Sequence, residues 1–128
     1  MLNVNPQIVC LLIERAREFH TKQSASISEE AIPPTVDVAL DVLAPHQEDP
    51  TFVEFKAVVD DLEPDQQVAL VALMWVGRGD FEPDEWRAAF KQAGEGWTPH
   101  TAEYLLATPL VADYLDEGLT ALGYSCEE

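Results

Sequence analysis

A chain of 128 residues with 47% apolar side chains has the length of one ordinary domain and enough hydrocarbon for a real core, which excludes disorder throughout. Seven basic against 24 acidic residues leave a formal charge of −17, and such a surface repels phosphate backbones and anionic lipid, excluding direct nucleic-acid and membrane-surface binding. No run reaches the roughly 18 to 20 apolar residues that a membrane-spanning helix needs.

The N-terminal stretch MLNVNPQIVCLLIERAREF lacks the basic start and small-residue cleavage site of a signal peptide, so a cytoplasmic protein is expected. Its Ile8, Val9, Leu11, Leu12, Ile13, Ala16 and Phe19 recur at helical spacing and give a first helix with a broad apolar face, within residues 1–23. Cys10 lies in this helix and Cys126 in the acidic tail, residues 125–128. One distant pair without a CxxC neighbour reads as two free thiols in a reducing compartment.

Helix starts are marked by one recurring device, a polar residue followed by proline: Asn5-Pro6, Asp49-Pro50, Glu63-Pro64, Glu82-Pro83, Thr98-Pro99 and Thr108-Pro109. Proline suits the first helical position, where its missing N–H would be unpaired anyway, and the residue before it can cap the free backbone donors. Residues 24–44 lack this order. TKQSASISEEAIPP reads as a linker, and TVDVALDVLA as a short helix or an extended segment packed on the rest.

From about Pro45 onward the pattern is helical. Phe52, Phe55, Val59 and Leu62 form a stripe on a second helix. A third, Pro64 to Val76, is apolar almost all round and is expected to be the buried central one. Trp86, Ala89, Phe90 and Ala93 line a fourth, and Val111, Leu115, Gly118, Leu119 and Leu122 line the last. Gly77, Gly94 and Gly123 follow helical runs, where left-handed caps are expected. The expected architecture is all-α: a compact bundle of five to six short helices, most started by X-Pro, with residues 45–124 as its domain and an apolar N-terminal helix on a long connection.

The junction Gly77-Arg78-Gly79-Asp80 carries the candidate chemistry. Asp80, Glu82 and Asp84 match the first, third and fifth positions of a calcium loop, but Glu85 and Lys91 stand where glycine and a bidentate glutamate are needed. Arg78 reads either as an anion-binding or partner-anchoring guanidinium, or as a cation favoured by a helix C-terminus and paired with Asp80. Trp75 and Trp86 read as core, and Trp97, in GEGWTPH, as the tryptophan nearest the surface. His20, His46 and His100 are isolated from one another, and His100-x-x-Glu103 supplies at most two ligands. No phosphate loop or nucleophile elbow is present, so no enzyme, metal or cofactor is expected.

LVALMWVGRGD, with Trp86 beyond it, and YLLATPLVADYLDEGLTALG together resemble a family of small bacterial proteins known only as a domain of unknown function. The resemblance spans about Asp41 to Gly123, and Trp75, Gly77, Arg78, Gly79, Asp80, Trp86, Tyr104, Leu105, Pro109 and Tyr114 match its pattern. It implies no activity and no catalytic residue. The expected function is therefore a non-enzymatic acidic module acting by protein–protein contact, with a basic partner or a second copy in a homodimer. The alternatives are a small-molecule or anion site formed by Arg78, Asp80 and Trp97, and mimicry of DNA by the acids.

Overall fold

The computed structural model describes residues 4–22, 40, 43, 48–108 and 110–126, and every regular element among them is helical. These are α1 (Pro6–Lys22), α2 (Pro50–Asp60), α3 (Pro64–Arg78), a 3₁₀ turn (Pro83–Glu85), α4 (Trp86–Glu95), α5 (Thr101–Leu106) and α6 (Val111–Ala121).

Four of the six X-Pro pairs place proline at the first helical residue of an element. Asp49 Oδ1 accepts from the backbone N–H of Thr51 at 2.8 Å, and Asn5 Oδ1 from that of Gln7 at 2.8 Å. Before α3 and the 3₁₀ turn the side chains of Gln66 and Glu85 reach back to the N–H groups of Glu63 and Glu82. These local bonds satisfy donors that the helix itself leaves open.

Thr98-Pro99 acts differently, and Pro109 of Thr108-Pro109 lies outside the described residues. Thr98-Pro99 forms a turn, in which Thr98 Oγ1 accepts from His100 N at 3.1 Å, and α5 begins two residues later at Thr101. α6 begins at Val111, after Leu110, the one non-glycine residue with positive φ (65°) among those described. A leucine held there costs about 1–2 kcal/mol.

Two of the three expected glycine caps are corrected. α3 ends in a left-handed cap at Gly79 (φ 96°), not Gly77: Gly79 N–H bonds Val76 O at 3.1 Å and Asp80 N–H bonds Trp75 O at 2.9 Å, the paired bonds of a Schellman stop. Gly94 lies inside α4, which runs on to Glu95. Gly123 (φ 91°) does stop α6 as expected.

Gly77 instead sits within α3 where α6 crosses it. A Cβ on Gly77 would lie 2.6 Å from the carbonyl carbon of Tyr114 and closer still to its oxygen. A Cβ on Gly118 would collide with the carbonyl oxygen of Leu73 and lie 3.0 Å from its Cγ. The two helices therefore meet backbone to backbone, a separation only glycine permits.

α3 is the central element. One face packs on α6 and α5, and the other carries Val68, Ala72 and Val76 against Ala89 and Ala93 of α4. Burial on both faces explains why its sequence is apolar almost all round. α1 packs on α6 and α2, and its Val9, Leu12, Ile13, Ala16 and Phe19 join the main core. Its apolar face is thus covered within the same chain. Leu43, fully buried, joins that core too, and the backbone is helical at Leu40 and Leu43. The rest of TVDVALDVLA, residues 35–39, 41, 42 and 44, lies outside the described residues.

The cysteines are not free. Cys10 of α1 and Cys126 are joined by a disulfide, with Cα atoms 5.6 Å apart and a sequence separation of 116. The end of α6 returns the chain to α1, so proximity in space replaces the motif spacing that sequence reading requires.

Candidate functional site

Arg78 stands in the last turn of α3, where the helix dipole favours a cation. Its Nε donates to Asp80 Oδ2 at 2.8 Å, and its Nη2 lies 2.6 Å from the same oxygen. The Schellman stop brings the aspartate back towards the arginine, so sequence-adjacent groups satisfy each other. Trp75 stacks on Phe81 with ring centroids 6.0 Å apart and donates from its indole towards the Tyr104 hydroxyl at 3.4 Å. Trp75, Phe81, Trp86 and Phe90 edge the smaller core cluster, while Tyr104 and Tyr114 are half-buried against the larger one.

Trp97 is elsewhere. Its indole N–H donates to Gln67 Oε1 at 2.7 Å. Buried Gln67 in turn donates to the carbonyls of Val59 (2.8 Å) and Leu62 (3.3 Å) at the end of α2. Gln67 lies eleven residues before Arg78 on α3, about 16 Å along the axis. The structure thus joins Arg78 to Asp80 and places Trp97 at the opposite end of the same helix. Sequence reading missed Gln67, whose polar side chain inside an apolar helix was the available signal.

A second polar group gathers where α2 meets α5. Glu103, 4% exposed, places Oε2 3.4 Å from Lys56 Nζ and 3.8 Å from His100 Nδ1, the latter beyond hydrogen-bond range. Its Oε1 is buried with no hydrogen-bond partner. Lys56 also bonds Asp60 at 2.6 Å, and chiefly that bond, with Glu103 adding, holds its pKa above the ordinary lysine value against the pull of burial. Lys56 is therefore an ammonium ion and no amine nucleophile. Among the described residues no group of three or more His, Cys, Asp and Glu side chains is placed to hold a metal.

His20 Nε2 lies 2.8 Å from the carbonyl oxygen of Leu106 and ties α1 to the end of α5, its ring beside Phe19. Burial pushes its pKa below 6.5, and the hydrogen bond opposes that shift without cancelling it. As pH falls through about 6.5 the unfolded chain takes up a proton that the folded ring refuses, so stability is lost on acidification. The expected contribution is at most about 1.4 kcal/mol per pH unit. Urea unfolding between about pH 7 and pH 5.5 should show a shallower slope for His20→Gln than for the wild type; parallel profiles would contradict the assignment.

The junction residues, the Trp97–Gln67 bond and the Glu103 pair all lie within one stretch of chain. The family model for a protein of unknown function (DUF3775) matches residues 53–124, more than half of the chain. The chain belongs to that family. No curated protein and no solved structure matches it.

The DUF3775 segment opens inside α2 and closes just past α6. Both glycines of the α3–α6 crossing fall within it, whereas α1 and both cysteines fall outside. The family description names no activity. Among the described residues no helix is long and apolar enough to cross a membrane.

Proposed function

We propose that the chain is a non-enzymatic acidic module that binds a basic protein partner through its surface charge. The observation that carries this reading is how four of its seven cations are spent. Arg15 bridges Glu14 and Glu18, with Glu54 of α2 at 4.0 Å, and Arg17 bridges Asp113 and Asp116 of α6. Lys56 and Arg78 are paired as described above. With 24 acids against seven bases, the surplus carboxylates project a negative field that would steer and hold a cationic surface.

The pairing of Arg78 with Asp80 supports its reading as a cation at the end of α3. The packing of the apolar α1 face on α6 and α2 supports a basic partner over a second copy. The pairing of Cys10 with Cys126 corrects the expectation of two free thiols in a reducing compartment.

Affinity capture from a native lysate tests the reading. A partner should be retained at low ionic strength and shed by about 0.5 M salt, where surface charges are screened beyond a few ångströms. Recovery of nothing, or of a partner that salt does not release, would overturn it.

A further inference from the structure

The Cys10–Cys126 bond lies at the surface. Cys126 is exposed and Cys10 half-buried, unlike the core residues Val9 and Leu12 on the other side of α1. A groove of about 450 Å³ runs beside both cysteines, lined also by Gln7, Leu11, Glu14 and Ser125. Gln7, Cys10, Leu11 and Glu14 recur at three- and four-residue spacing and form one outer stripe of α1. The short stretch after Gly123 is fastened across that stripe. Tyr124 also bonds the Leu119 carbonyl through its backbone N–H and packs on the core.

We propose that Cys10–Cys126 is a reversible dithiol–disulfide site that takes a dithiol reductant as its co-reactant and latches residues 124–126 over α1. Room beside the sulfurs admits an attacking thiolate, and access governs the rate of exchange. The thiolate attacks Cys126 Sγ, the S–S bond breaks, and Cys10 leaves as a thiolate. The second thiol of the reductant then attacks the mixed disulfide and releases Cys126. Two electrons pass from the dithiol to the pair, the reductant leaves as a disulfide, and the two cysteine thiolates take up protons from water. Glu14 is the charged side chain at the groove and the whole chain carries −17, so an uncharged dithiol, small or on a protein surface, is favoured over an anionic thiol. The opened form uncovers Leu11 and Cys10, while the core face of α1 stays packed. The proposal does not depend on the basic-partner reading, because it concerns residues outside the DUF3775 segment.

The full chain, folded and without denaturant, is treated with dithiothreitol, alkylated and weighed. Two alkyl groups should add after reduction and none before. Far-UV circular dichroism should stay helical while Tm falls by about 5 °C or more. Hydrogen exchange should quicken about tenfold or more in residues 6–14 and 124–126, and reoxidation should restore protection. Cys126→Ser should match the reduced form and ignore the reductant. Two alkylations before reduction, resistance to reduction in the folded state, unchanged exchange, or global loss of helix on reduction would each overturn the proposal.

Discussion

Gly118→Ala is expected to destabilise the chain by about 3 kcal/mol or more, and Gly77→Ala by a similar amount. Helix propensity alone would give the opposite sign, since alanine is better than glycine inside a helix by roughly 0.5–1 kcal/mol. The collision decides. Each new methyl would meet backbone atoms of the facing helix, the carbonyl of Tyr114 in one case and that of Leu73 in the other. Backbone cannot rotate away as a side chain can, so α3 and α6 would have to separate and unpack the core between them. Gly94→Ala is the control: its methyl would meet only Val68 Cγ1, at an ordinary 3.8 Å, inside α4. That variant should be neutral or gain up to about 1 kcal/mol. Denaturant unfolding of the three variants checks the sign difference, and equal effects at all three sites would contradict the crossing.

The Lys56–Glu103 pair is expected to respond asymmetrically. Lys56→Met should cost about 2 kcal/mol, because Glu103 would be left buried with only His100 nearby at 3.8 Å. This is below the cost for a fully buried pair because the lysine side chain is 34% exposed and water screens it. Glu103→Met should be neutral or stabilising by about 1 kcal/mol. It removes a desolvated carboxylate with an unpartnered oxygen, and Lys56 keeps Asp60. The double variant should therefore recover most of the Lys56→Met loss. A double-mutant cycle by urea unfolding measures this, and equal losses from the two single changes would contradict it.

Both effects mark what the sequence could not make legible. Helix starts could be read because proline and the capping side chains near it act within one turn, Asp49 before Pro50 and Gln66 after Pro64. Choosing between Gly77 and Gly79 required knowing that Gly77 faces another helix, a fact held by Tyr114 and Gly118 on α6. The disulfide was hidden for the same reason, since only the fold brings Cys126 back to α1. In the candidate site, Arg78 and Asp80 could be paired from sequence because their contact is local. The Trp97–Gln67 bond joins a loop residue to α3, the approach of Lys56 to Glu103 joins two helices, and no spacing rule encodes either.

The functional reading turns on whether the surface charge or the Arg78 junction does the binding. The most direct test is the affinity of the captured partner, measured by titration calorimetry from about 0.05 M to about 0.5 M salt, for the wild type and for Arg78→Ala. The proposed module predicts a Kd that weakens about tenfold or more across that range and stays within about twofold for Arg78→Ala. A salt-independent Kd that Arg78→Ala abolishes would contradict it and place the function at the junction.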